Sequence, residues 1–307
     1  MRTLLAALLL LVVPTVSAQW PTVQRDTALE RQLTDLASRV DGVVGIYVRH
    51  LPSGRGAMIR PDELFPTASM IKVPILLATF QRIHDGVLAF DQPLMWADSL
   101  RYGDEEDLFD QLQDSAAVQL SQVSMAMITS SDNAAALWLQ ALVGGGVYIN
   151  DWLAAHGFEA TRMNSRTPGR REIWQVYGWG QTSPREIAEL VVGIREGRFV
   201  SQAASEAMYR HLTRIYWNGE ALSRLPPTVQ VASKQGAVDR SRSEVVLVNA
   251  PHGDYVFSVI TREARDTSYE STNQSWTLIR AVSGLLWRTF EPDSPYHPPA
   301  GAERFVP

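Results

Sequence analysis

Ser69 and Lys72 stand three residues apart in Ser69-Met70-Ile71-Lys72. On a helix that spacing sets both side chains on one face, with Cβ atoms about 5–6 Å apart. A hydroxyl beside an amine is a nucleophile with its own base, provided the amine is neutral. Lysine can meet that condition, because burial and a neighbouring cation lower its pKa from about 10.4, whereas arginine keeps its proton. Only two of the 28 cationic residues are lysines, Lys72 and Lys234; all the others are arginines. A chain that defaults so strongly to arginine keeps lysine where arginine would fail. Lys234, in Lys234-Gln235-Gly236, is the candidate second cation. Pro66 lies just ahead, and Thr67 or Ala68 would open the helix. At a helix start, backbone N–H groups and the dipole favour an attacking alkoxide and a developing oxyanion. Taken alone, Ser69 and Lys72 also fit an ordinary surface helix pair.

Between the lysines lies Ser131-Asp132-Asn133, a short polar step flanked by the apolar-rich stretches 123–130 and 134–139. Such a step can point side chains into a cleft. Ser and Asp are equally ordinary helix N-caps, and read alone the motif supports either role.

In this order the three motifs resemble the serine penicillin-recognising enzymes, the class A β-lactamases among them. Gly144-Gly145 with a helix to His156-Gly157, Thr182-Ser183-Pro184 before a helix, and Asn218-Gly219 with Leu225-Pro226 ahead of Lys234 extend the likeness. Pro74 is reminiscent of penicillin-binding proteins. The resemblance covers roughly Leu29 to Phe290. It implies that Ser69 is acylated, with Lys72 as general base or proton relay. Ser131 would pass a proton to the leaving nitrogen, and Asn133 would hold the substrate amide and Lys72. Lys234 would bind the substrate carboxylate and lower the Lys72 pKa, while Ala237 would supply an oxyanion N–H together with Ser69.

The chain departs from that pattern in two places. Laid on the family's omega loop, the segment from Arg162 to Pro184 puts Thr167 at the position of the deacylating Glu and Arg171 at that of the following Asn. The loop's Arg–Asp clasp falls on Ser165 and Gly180. Glu172 is the nearby alternative base, or a solvated loop carboxylate. Gln235 replaces the third motif's hydroxyl, and Gly236 keeps its glycine. Arg242, one residue short of the usual assisting arginine, or Arg240 would help bind the carboxylate; each could be a plain surface arginine. Tyr102 is either an aromatic gatepost or an exposed loop residue.

The elements that must position these groups follow from periodicity. Leu29, Leu33, Leu36, Ala37 and Val40 predict an amphipathic first helix. Residues 43–48 and 56–60 read as strands, 68–198 as mostly helical, and 228–233, 244–249 and 255–261 as strands again. Trp276, Ile279, Val282 and Leu286 mark a final helix. The fold class is therefore α/β (α+β), class A β-lactamase-like by resemblance. One antiparallel sheet is flanked by the terminal helices (about 24–62 and 213–290), and an all-helical lobe (about 63–212) makes a cleft with it. A Pro-rich tail, 291–307, is expected to wander.

Composition narrows the surroundings. A run of apolar residues from Leu4 to Val13, Pro14, and the small residues Val16-Ser17-Ala18 read as a signal peptide, 1–18, too short to span a bilayer. Export to the periplasm or medium is expected, with cleavage near Ala18. No cysteine is present, which excludes disulfides, lipidated cysteine and a thiol nucleophile. A net charge of −5 offers no nucleic-acid patch and disfavours a stable hold on acidic membranes. No metal-ligand spacing, cofactor motif or Gly-x-Ser-x-Gly elbow occurs. The expected protein is a monomer without cofactor acting on a small molecule. The sequence leaves three functions: a serine hydrolase that opens β-lactams slowly, a peptidoglycan D-Ala-D-Ala peptidase or esterase on the same scaffold, or a silent binding or sensor domain. The missing loop Glu separates acylation, whose parts are present, from rapid deacylation.

Overall fold

The structure, a computed structural model, describes residues 20–103 and 107–307; the expected signal peptide lies outside them. In chain order the first elements are β1 (Gln24–Arg25), α1 (Thr27–Ala37), β2 (Val43–His50), β3 (Arg55–Ile59), β4 (Phe65–Pro66) and α2 (Lys72–His84). The middle holds β5 (Pro93–Met95), β6 (Ala117–Gln119), α3 (Leu120–Thr129), α4 (Asn133–Leu142), α5 (Gly145–Ala155), β7 (Arg162–Met163), α6 (Arg171–Tyr177), β8 (Gly180–Thr182), α7 (Pro184–Arg195) and α8 (Gln202–Leu212). The chain then returns to strands in β9 (Val231–Val238), β10 (Ser241–Val248) and β11 (Tyr255–Arg262), followed by α9 (Gln274–Phe290).

Early and late strands share one sheet in the order β1-β3-β2-β11-β10-β9. The pairings are antiparallel, as expected, except that the two-residue β1 runs parallel to β3. Both faces of this sheet are covered, so β10 is buried along its whole length and reads as a continuous run, not an alternation. Along β11 the pleat still sorts residues: Tyr255, Phe257 and Val259 pack with α1 and α9, whereas Val256 and Ile260 face the helical lobe. The terminal helix α1 begins on Asp26, whose carboxylate accepts the N–H groups of Ala28 and Leu29, and it buries Leu29 and Leu33. Ser183 caps α7 with Pro184 in the first turn. A buried ion pair ties that helix to the sheet: the Arg49 guanidinium grips the Glu189 carboxylate with two 2.7 Å bonds, and the Tyr47 hydroxyl adds a third.

Two expectations need correction. The strand expected to stop at residue 233 continues through Lys234-Gln235-Gly236 to Val238, because β10 pairs with it along that whole length. The tail does not wander. The Trp287 indole donates to the Ser294 carbonyl at 2.7 Å, residues Ala302–Phe305 form a short 3-10 turn, and Val306 packs beside Gly219.

Candidate active site

Ser69 lies in a 3-10 turn, Ala68–Ile71, that runs directly into α2 at Lys72. In a 3-10 turn residues i and i+3 eclipse, which sets the lysine directly over the serine. Lys72 Nζ lies 3.1 Å from Ser69 Oγ. It also lies 3.1 Å from Ser131 Oγ and donates to Asn133 Oδ1 at 2.7 Å and to the Ser131 carbonyl. The carbonyl and the Asn133 oxygen can only accept. They take two amine hydrogens and leave the remaining valence to the two hydroxyls. A neutral Lys72 making those two bonds therefore turns its lone pair to a serine O–H.

The turn is held under strain. Ala68 and Ser131 adopt φ of +43° and +65°, left-handed values that cost energy for residues other than glycine. The Ser131 conformation presents both its carbonyl and its hydroxyl to Lys72. Its neighbours are pinned from two sides. Asp132 caps α4 through Ala135 N at 2.7 Å and also accepts Phe109 N at 3.0 Å, while Asp107 accepts Asn133 N at 2.7 Å and Ala134 N at 3.1 Å. Burial lifts the Asp107 carboxyl to about 6, against the pull of the Asn133 N–H, and the Asp132 charge adds to the rise. Both readings of the motif thus hold at once: Asp132 is a cap, and Ser131 and Asn133 face the amine.

From the other lobe comes Lys234, fully enclosed like Lys72. Its amine lies 3.0 Å from Ser131 Oγ, 2.9 Å from the Gln235 carbonyl and 3.0 Å from Gln235 Oε1. Burial, and then the Lys72 charge, hold the Lys234 amine well below the usual lysine range, and Glu244 pulls the other way. Two amines on one hydroxyl, both out of water, take a second proton less readily than either alone. Gly236 is required by close approach: a Cβ there would meet the Thr67 carbonyl oxygen at 2.6 Å and the Ala68 Cβ at 3.0 Å. The contact seats β9 on the turn that carries Ser69.

A cavity of about 810 Å³ opens beside these groups, lined by Ser69, Asn133, Tyr102 and Ala237 and rimmed by Trp174, Tyr177 and Tyr269. Tyr102 is thus at the cleft. It stands edge-to-face on Trp179, with ring centres 5.4 Å apart. The Trp179 ring centre lies 6.0 Å from Lys72 Nζ.

Two candidate residues lie outside the cleft, and for Glu172 the reading as a solvated loop carboxylate holds. Arg242 is buried away from the cleft. Its guanidinium donates to the carbonyls of Asp239, Ser241, Thr267 and Ser268 at 2.8–3.1 Å and lies over Tyr269 and Trp276. Strand parity is the reason. The even positions of β10 face α9, while the odd ones, Ser241 and Ser243, face the side of the Ser69 turn. Glu172 is exposed on α6 and lines neither the cleft nor the adjoining pocket at Thr167. Arg240 does line the cavity, with its guanidinium on the carbonyls of Glu263 and Ala264.

The 164–180 loop is closed without an Arg–Asp clasp, as Ser165 and Gly180 require. Asn164 N and Ser165 N both donate to the Trp179 carbonyl, and Arg170 joins Asn164 Oδ1 at 2.7 Å to Gln181 Oε1 at 3.0 Å. Thr167 packs on Gly146, where an added Cβ would overlap its hydroxyl. Asp107, Arg170 and Trp179 were missed. The run Trp174 to Gly180 holds three aromatics, Trp174, Tyr177 and Trp179, and their clustering was the one signal that could have pointed to this loop.

The profile of the "Beta-lactamase enzyme family" matches residues 28–290. Beta-lactamase VEB-1 of Pseudomonas aeruginosa is 21% identical over 245 residues, which is 76% of this chain and 80% of that one. Among solved structures, PBP-A is 26% identical with a TM-score of 0.78, covering 89% of this chain and 100% of its own. A beta-lactamase from Chitinophaga pinensis, 20% identical over 85% of this chain and 99% of its own, shares the fold at a TM-score of 0.77. With the match running from before Ser69 to the last helix, the chain belongs to the beta-lactamase enzyme family, as a serine hydrolase of the class A type.

Proposed function

We propose that this is an exported enzyme that acylates itself at Ser69 and releases the acyl group slowly, in the manner of a penicillin-binding protein. The observation that carries the reading is Lys72 Nζ, placed between Ser69 Oγ and Ser131 Oγ and fixed by two obligate acceptors. Ser69 Oγ bonds to the carbonyl carbon of a lactam, amide or ester while its proton passes to Lys72. The Ser131 hydroxyl delivers a proton to the departing nitrogen or oxygen as its bond to the carbonyl breaks, and is recharged from Lys72. The N–H groups of Ser69 and Ala237 hold the oxyanion.

Release needs a water and a base. Among the described residues the carboxylates lining the cavity are Asp239 and Glu263, at strand ends and not on the 164–180 loop. On the loop side the Trp179 ring faces the amine. That arrangement favours a persistent adduct over turnover. A variant of PBP-A has been solved as an acyl-enzyme complex with penicillin G, which supports β-lactam as one acyl donor here. The retained strain at Ala68 and Ser131 and the buried pair of amines argue against a silent sensor. The apolar segment 4–13 supports export.

Intact-mass analysis after incubation with excess penicillin G tests the reading. A single adduct on Ser69, lasting hours and absent in Ser69→Ala, is the expected result. Unchanged protein mass with intact penicillin refutes acylation, and rapid release of opened penicillin refutes slow deacylation.

A further inference from the structure

Lys234 is the group expected to receive a substrate carboxylate, yet its protons are already engaged. An ammonium has three N–H bonds, and the Lys234 amine has three acceptors from the protein: Ser131 Oγ, the Gln235 carbonyl and Gln235 Oε1. By strand parity Gln235 starts on the opposite face of β9 from Lys234. Because β9 is the edge of the sheet, its long amide can reach round to the amine. Its oxygen then sits on the ammonium as a carboxylate oxygen would.

Three independent features agree. The Arg242 guanidinium is turned to the α9 side and enclosed by backbone carbonyls. The strand face turned to the cleft carries Ser241 in its place, and the buried Ser241 hydroxyl has no hydrogen-bond partner among the described residues. The cavity itself reaches Ser69, Asn133 and Ala237, but its described lining includes neither Lys234 nor Gln235. Its charged lining residues, Arg240, Arg262, Asp239 and Glu263, sum to zero, so the cavity wall itself adds no excess positive charge for an anion.

We infer that the Gln235 amide occupies the anion subsite and that the preferred acyl donor is neutral there, such as a carboxylic ester or a lactam lacking the carboxylate. The aromatic rim of Trp174, Tyr177, Tyr102 and Tyr269 suits an apolar group on that donor. This inference rests on Ser69 being the acylated residue. The covalent step is unchanged: Ser69 Oγ bonds to the acyl carbon, and the alcohol or ring nitrogen leaves with the proton relayed through Lys72 and Ser131.

The test compares the second-order rate of Ser69 acylation by penicillin G with that by its methyl ester, read by intact mass. In the wild type the methyl ester is expected to react at least as fast as the free acid. In Gln235→Thr the acid-to-ester rate ratio is expected to rise tenfold or more. A wild-type preference for the free acid overturns the inference, and so does a ratio that Gln235→Thr leaves unaltered. The wild-type comparison decides the matter even if the variant fails to fold. Labelling by neither reagent would sink the Ser69 reading itself, and this inference with it.

Discussion

Lys72 and Lys234, from different lobes, reach the same hydroxyl, that of Ser131, at 3.1 and 3.0 Å. The hydroxyl thereby bridges two amines that water does not reach. Lys72→Arg keeps a positive charge but cannot give up its proton, and its larger head must fit where no surface is exposed. The acylation rate of Lys72→Arg with a fluorescent penicillin is expected to fall by at least about 10²-fold, the usual contribution of a positioned base. Labelling at the wild-type rate would mean that the base lies elsewhere.

Gly236 makes a second mechanical demand. An alanine Cβ would lie 2.6 Å from the Thr67 carbonyl oxygen, which is backbone and cannot rotate away. Either β9 or the Ser69 turn has to shift. Gly236→Ala is expected to cost about 1–3 kcal/mol of stability through overpacking. Displacing Ala237 from Ser69 should also slow acylation by about 10²-fold. Urea unfolding and penicillin labelling of the same preparation check both effects. A variant that keeps full stability and rate would show that the two segments are not in contact.

The grouping of Ser69, Lys72, Ser131 and Lys234 was legible in the sequence because it is written in residue types: two lysines among arginines, each in a short motif. The sheet and the terminal helices were legible because their apolar patterns are local. The direction of Arg242 was not, since one residue of register on β10 decides which face it takes, and two of its carbonyl partners lie 25 and 26 residues away. Asp107 escaped for a similar reason: it caps a helix that begins 26 residues later. The parallel pairing of β1 rests on two residues, too few for a pattern. The tail's path depends on Trp287 and Gly219, which composition alone cannot connect.

Release of the acyl group should depend on Trp179 and not on Glu172. Glu172 is exposed and outside the cleft, so Glu172→Gln is expected to leave the adduct's lifetime unchanged within about twofold, the scale of a surface substitution. The Trp179 ring stands between Lys72 and Tyr102 on the loop side of the cavity. Trp179→Ala would admit water there and is expected to shorten the lifetime several-fold, without the rapid turnover that a base confers. Decay of the penicillin adduct followed by mass distinguishes the two. A longer lifetime in Glu172→Gln would restore that residue as the base.

A buried carboxylate sets the pH dependence of the sheet beneath the site. Burial raises the Glu244 carboxyl from 4.5 to about 7, against hydrogen bonds from the Ser233 hydroxyl and the Ala221 N–H. Its folded pKa lies above the unfolded one, so between those values the native state binds more protons, and this group's share of stability falls as pH rises. The loss begins near the unfolded value and is complete above about 7. It amounts to roughly 2–4 kcal/mol. His50 and His211, both lowered by burial, titrate in the opposite sense, so the informative quantity is a difference between two proteins. Glu244→Gln loses the bond from Ala221 N–H and should be the less stable protein at pH 5. Its deficit should then shrink or reverse by pH 8. Urea unfolding of both proteins at several pH values measures this, and a deficit that stays constant would show that Glu244 is ionised throughout.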